Sequence, residues 1–230
     1  MAEPGSTLAL SRLLQLASPM LPVGAYSYSQ GLEWAIECGD VRDMESAQAW
    51  MCDVLEHYQA GFELPVLHRL YQAWQNTDTA SVQAWDDFYQ AGRDTAEACA
   101  ETRQMGYSLV RLLHGLQTLP PDMLKAVEAL PAPAFPTIYA GAAVHWRIPL
   151  PDTLHAYAWS WLENQASVAM KTVPLGQVAG QRILLELGVR LPALIARAMA
   201  LPEEDISNFC PALSIAGCRH ETQYTRLFRS

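Results

Sequence analysis

The chain has 230 residues, the length of one domain, and half of them are hydrophobic, so a sizeable core needs no disulfide or metal staple. Ala and Leu far outnumber Val and Ile, which excludes an all-β or collagen-like chain and favours helix. The 24 acidic against 15 basic residues give a net charge of −9, which repels nucleic acid and anionic membranes, and 17% charged residues leave a charge-poor surface suited to protein partners.

Taken in chain order, residues 7–17 read as a short apolar helix capped by Ser6 or Thr7 and closed at Ser18-Pro19. Arg12 interrupts this stretch and no convincing A-x-A cleavage site follows, so it does not read as a signal peptide. No other run approaches a membrane span, and a cytoplasmic protein is expected. Residues 25–38 are expected to be helical. Asp43 can cap a helix that carries Met44, Ala47, Met51, Val54, Leu55 and Tyr58 on one face and breaks at Gly61. Helices follow over 64–74 and 79–89.

Over 94–117, Cys99, Thr102, Gly106, Leu109, Leu113 and Leu116 form a small and apolar seam opposite a polar stripe of Glu97, Glu101, Gln104, Ser108 and Arg111. Five prolines between 120 and 136 surround a short helix at 122–130, the best candidate for a boundary. One domain is still expected, because the segments 134–146, 152–171 and 174–201 are apolar on wide faces that need the earlier helices to cover them. Asp152 is placed as an N-cap and Pro174 in a first turn, while Pro192 should kink or split the last long helix. After Pro202 the chain reads as irregular until its final dozen residues. The expectation is an all-α, single-domain bundle of roughly ten helices, 1–218, with a C-terminal partner-binding tail, 219–230, belonging to the same domain.

Five cysteines, an odd number with no C-x-x-C pair, signal neither a disulfide framework nor a structural zinc site and fit a reducing compartment. Six histidines show no i, i+4 pair, so no firmly bound metal or cofactor is expected. The nearest approach to a metal site is Cys218-Arg219-His220-Glu221, where Cys218 and His220 are weak candidate ligands for nickel or zinc, against the favoured reading of a docking segment. Gly176-Gln177-Val178-Ala179-Gly180 lacks the Lys-Ser/Thr of a phosphate loop and reads as helix packing. Ser27 and Ser29 evoke a nucleophile elbow, but that device needs a strand end, a His and an Asp, so a hydrolase is disfavoured. The tail places Arg219, Arg226 and Arg229 beside Tyr224 and Phe228 in an acidic chain. Arg and aromatics dominate binding energy when buried at interfaces, so the tail docks on a partner, on the chain's own helices, or on both.

Four segments carry a resemblance. They are Pro22-Val-Gly24-Ala-Tyr26-Ser-Tyr28-Ser29-Gln30-Gly31-Leu32-Glu33, then Glu101-x-Arg103-x-x-Gly106, then Lys171-x-Val173-Pro174-x-Gly176-Gln177, and last His220-Glu221-x-x-Tyr224-x-Arg226-Leu227-Phe228-x-Ser230. In this order and spacing they resemble the UreF family of urease accessory proteins, from about residue 8 onward. The resemblance implies an all-helical, dimeric, non-enzymatic chaperone that joins UreD (UreH) and the GTPase UreG to load nickel into apo-urease. It implies that UreD orders the tail, positioning Tyr26 and Arg226 for UreG, with Lys171 a second contact and Tyr224, Leu227 and Phe228 in the binding surface. Arg226 would then either fix the conformation of the GTPase or reach its nucleotide. Family members often carry His where this chain has Tyr28. For Glu101 and Arg103 an ion-paired helix junction is the favoured reading over a partner contact.

Overall fold

The computed structural model describes residues 7–230, so the capping role expected of Ser6 lies outside the described residues. Among the described residues the chain forms twelve α-helices and no strand. They are α1 (Thr7–Ala17), α2 (Leu32–Glu37), α3 (Met44–Asp53), α4 (Leu64–Gln75), α5 (Thr79–Ala91), α6 (Ala96–Gly115), α7 (Pro121–Ala129), α8 (Phe135–His145), α9 (Leu150–Thr172), α10 (Gln177–Gly188), α11 (Leu191–Ala200) and α12 (Pro211–His220). A π-helical segment, Val54–Glu63, joins α3 to α4 without a break.

The Ala-rich α8 lies at the centre, buried from Pro136 through Ala143, and its small side chains let α4 and α6 approach closely. Its N-terminus is held by the buried Asp86 of α5, whose carboxylate accepts from the Ala134 amide at 2.8 Å and the Thr137 hydroxyl at 2.5 Å. The 23-residue α9 packs against α1, α2, α4, α10 and α11 and ties the N-terminal helices to the C-terminal ones. One hydrophobic cluster therefore runs from Leu16 to Phe228, with no separate core beyond the proline-rich stretch.

Asp43 caps α3 as expected, accepting from the Ser46 amide at 2.9 Å. Pro192 does split the last long helix and enters α11 in its first turn.

Other elements depart from expectation for physical reasons. Gly61 does not break the helix, because π-helical winding carries the chain through it with Tyr58, Gln59, Phe62 and Glu63 all buried. Burial on this scale outweighs the roughly 1 kcal/mol that glycine costs a helix. A side chain there would press on the Ser207 carbonyl at 3.3 Å, where the 200–210 segment crosses.

Residues 25–38 are not one helix. Gly24, Gln30 and Gly31 take positive φ of 83°, 52° and 80°, leaving a single 3-10 turn at Ala25–Ser27 and the short α2. Asp152 is a third-position acid of α9 rather than its cap, and Pro174 lies in the turn before α10 rather than within it. The region after Pro202 is reversed from expectation, with α12 in its middle and no regular helix in the last ten residues.

A candidate partner-binding site at the docked tail

The 22–33 loop, the N-terminal half of α6 and the tail meet at one end of the bundle. The buried Glu33 of α2 organises them. Its two carboxylate oxygens accept from the backbone amides of Leu227 at 2.6 Å and Phe228 at 3.0 Å, and it lies 3.1 Å from His220 Nε2. His220, wholly buried, has Nδ1 at 2.7 Å from Glu97, and the other oxygen of Glu97 pairs with Arg226 at 2.6 Å. Glu221 reaches back to accept from the Ala96 amide at 2.8 Å, satisfying an orphan donor at the start of α6.

The end of the chain is stitched to the 22–33 loop by main-chain bonds. The Ser29 and Gln30 amides donate to the Ser230 carbonyl at 2.6 and 2.9 Å, and the Arg229 amide donates to the Ser27 carbonyl at 2.8 Å. A helix over 25–38 would have turned these groups inward on themselves, so the non-helical loop is what receives the tail. Gly31 is required twice over. Its φ is +80°, and a Cβ there would meet Ala216 and Gly217 of α12 at 3.1 Å. Gly106 likewise lets α6 pass the 131–135 segment, with the Pro133 carbonyl 2.1 Å from where a Cβ would stand.

Glu101 lies on the polar stripe of α6 yet is buried. One oxygen accepts from Gln30 Nε2 at 2.7 Å and the other from the Ser230 hydroxyl at 3.1 Å. Gln30 in turn accepts from Trp161 Nε1 of α9 at 2.6 Å. Burial pushes the Glu101 carboxyl above its usual range, opposed by the nearby Arg93 guanidinium. The ion-paired junction expected of Glu101 and Arg103 is therefore corrected: Arg103 is exposed and donates to the neutral Gln90 of α5 at 2.8 Å.

The tail's other face looks outward. Tyr224 and Leu227 are 102% and 72% exposed, and Tyr26 on the adjoining loop is 66% exposed. Phe228 is buried and carries the Lys171 ammonium 5.7 Å above its ring, so of the six residues expected to bind partners it alone is an internal anchor. Beyond Lys171, Pro174, Gly176 and Gln177 form an exposed turn. The tail therefore docks on the chain's own helices by one face and leaves the other exposed. Tyr28 is buried, and its phenol is pushed up by burial and by Glu101.

A second polar cluster lies deeper. Glu63 accepts from Arg93 at 2.6 Å, from the Tyr89 hydroxyl at 3.0 Å and from the Tyr157 hydroxyl at 2.7 Å. A cavity of about 350 Å³ borders it, lined by apolar Leu16, Val23, Met105 and Phe135 and by polar Glu63, Arg93 and Glu101. The Arg93-Glu63 pair had no local sequence signal, since its members come from the π-helical segment and from the loop before α6, 30 residues apart. Glu97 and Gln30 were visible only as a solvated stripe and a motif letter.

Neither weak metal candidate gains a partner ligand. Both ring nitrogens of His220 face carboxylates, Cys218 is exposed, and no group of three or more His, Cys, Asp or Glu among the described residues could hold a metal ion. Ser27 donates its hydroxyl to the Gly24 carbonyl at 2.7 Å within the 3-10 turn. Gly180 of the glycine-bearing segment faces Met170 on α9, which is helix packing. No helix among the described residues is long and apolar enough to cross a membrane.

The model of the UreF family matches residues 41–188. A urease accessory protein UreF of Methylobacillus flagellatus is 64% identical over 222 residues, covering 96% of this chain and 98% of that protein. Those of Azoarcus sp. (strain BH72) and Dechloromonas aromatica are 56% and 50% identical, covering 98% and 97% of this chain and 97% and 98% of theirs. On the family model and on these identities over nearly the whole length of each protein, the chain belongs to the UreF family of urease accessory proteins.

Proposed function

We propose that this chain is a non-catalytic adaptor of urease maturation that bridges UreD (UreH) and the GTPase UreG, so that nickel is loaded into apo-urease. The observation that carries the reading is the two-faced tail. Its backbone is anchored by the buried Glu33, while Leu227 and Tyr224 are held out into solvent on that rigid mount. Exposed apolar side chains on an ordered backbone bind with little ordering cost, and aromatics and Arg are the side chains that anchor interfaces. Tyr26, Lys171 and Arg226 flank them, which gives this corner of an acidic chain a cationic and aromatic character suited to an acidic partner face.

Arg226 keeps one guanidinium nitrogen on Glu97, with 39% of its side chain exposed. An arginine fixed in this way suits control of the GTPase conformation better than insertion at its nucleotide, which would require it to leave Glu97. The adaptor works as a homodimer in a cytoplasmic complex. The rival nickel-carrier reading through Cys218 and His220 is disfavoured by the engagement of both His220 nitrogens.

Point variants test the adaptor better than truncation, because removing 219–230 would take the wholly buried His220 out of the bundle. Co-purification with the UreD and UreG proteins of the same source should fall at least about tenfold in a Tyr224→Ala/Leu227→Ala double variant whose melting temperature is unchanged. Nickel-dependent urease activation should fall with it. Full assembly and full activation by that variant would overturn the assignment of the tail face.

A further inference from the structure

We infer that Gln30 is the positioning residue of the docked tail, its side-chain amide spanning from Trp161 of α9 to Glu101 of α6 so that Glu101 can hold Ser230. The inference deepens the adaptor reading, on which the use of the tail by partners rests. The orientation of the amide is fixed by its neighbours. An indole N–H can only donate, so the atom of Gln30 that lies 2.6 Å from Trp161 Nε1 is the carbonyl oxygen. The amide nitrogen is thereby turned toward Glu101, to which it donates at 2.7 Å. The other oxygen of Glu101 accepts from the Ser230 hydroxyl at 3.1 Å. Gln30 thus cannot flip without losing both bonds, and it aims a buried carboxylate at Ser230.

The backbone gives a second, independent indication. Gln30 takes a φ of 52°, in the left-handed region that a side chain disfavours. Glycine would fit this position with less strain, so the side chain is kept against a local cost, and such a cost persists where the surrounding contacts demand it. The Gln30 backbone amide also donates to the Ser230 carbonyl at 2.9 Å, while the Arg229 amide donates to the Ser27 carbonyl at 2.8 Å. Gln30→Gly leaves these main-chain bonds available and removes only the span between Trp161 and Glu101. The indole N–H and one Glu101 oxygen are then left without their partner. Strain relief and lost bonds pull in opposite directions, which makes the sign of the effect diagnostic. A turn residue with no positioning role gains from the change to glycine. A positioning residue loses its hold on the tail.

The test is amide hydrogen exchange of the full chain, read by NMR at Arg229 of the tail and at Tyr139 and Ala142 of α8. Gln30→Gly should speed exchange at Arg229 about tenfold or more, and at Tyr139 and Ala142 by less than about threefold. Gln30→Glu sets two carboxylates against each other and should speed Arg229 at least as much. Adding Glu101→Gln to Gln30→Glu gives every donor an acceptor again. The Trp161 N–H and the amide of residue 101 then both donate to residue 30, and the Ser230 hydroxyl donates to the amide oxygen of residue 101. This double variant should bring Arg229 back to within about threefold of the intact chain. Exchange at Arg229 that is unchanged or slower in Gln30→Gly overturns the inference, as does equal acceleration in α8. So does a double variant no better protected than Gln30→Glu, and if Gln30→Glu fails to fold, Gln30→Gly decides alone. Co-purification with the UreD and UreG proteins should follow the same order. Tail protection that changes as expected with no change in co-purification would overturn the partner-binding assignment of the tail and leave the positioning role standing.

Discussion

Two charged clusters, one fully and one partly buried, stand on either side of Glu101, and they are built from different elements. In the inner one, Glu63 and Arg93 are held by the π-helical segment and the loop before α6, with Tyr89 of α5 and Tyr157 of α9 as further donors. In the outer one, Glu33 and Glu97 hold His220, the last residue of α12, and Glu97 also holds Arg226 on the irregular tail that follows. The inner pair is fixed by elements of the core, so it cannot open without unfolding the bundle. The outer cluster instead holds the end of α12 and the last ten residues, which cover one end of the bundle. Similar chemistry thus serves global stability in one place and a separable docking event in the other.

The largest expected effect strikes the inner cluster. Arg93→Met leaves the Glu63 carboxylate buried without its cation and should reduce global stability by about 3–5 kcal/mol. Denaturant unfolding checks this, and Glu63→Gln added to Arg93→Met should recover much of the loss because no lone charge then remains buried. Next is Glu33→Gln, which turns an amide group toward the Leu227 and Phe228 amides. It should cost about 1–3 kcal/mol in tail docking, seen as faster tryptic cleavage at Arg226 and Arg229, while the unfolding midpoint of the helices moves far less. Equal losses in both readouts would abolish the distinction between the clusters.

Acidity should act on the helical core. Burial, with the Arg69 guanidinium beside it, pushes the His68 imidazole down to about 4. Between about 6.5 and about 4 the unfolded chain takes up a proton that the folded chain refuses, so global stability falls as pH drops through this window. His68→Gln should flatten that limb of a thermal-unfolding profile. The smallest effect serves as a reference. Thr77, exposed at the end of α4 with φ of 58°, is a β-branched residue in the left-handed region, and Thr77→Gly should raise stability by about 1 kcal/mol without changing tail cleavage.

Much of the fold was legible locally. The capping of α3 by Asp43, the apolar face from Ala47 to Tyr58 and the split at Pro192 all follow from short-range rules of spacing, capping and proline geometry. The readings that failed share a cause. Gly61 looked like a breaker and 25–38 looked like a helix because local propensity cannot see a crossing segment or an arriving tail. Glu101 looked solvated because its position on the stripe says nothing of Gln30 and Ser230, which close over it. Of the candidate site, the motif letters were readable, including Tyr26, Lys171, Tyr224 and Arg226. Which of them face outward was not, and Phe228 proved to be an anchor.

By itself, then, the sequence determined an all-helical chain of one core, its family and the loop and tail segments that would matter. These properties depend on composition, period and the order of short motifs, each of which is local along the chain. Only the tertiary structure decided that the tail is seated by Glu33, that His220 joins two carboxylates, and that Glu63 and Arg93 form a separate inner pair. Each of these contacts joins residues 30 to almost 200 positions apart, brought together by the packing of α2, α6, α12 and the tail or of the π-helical segment against the loop before α6, rather than by any countable spacing.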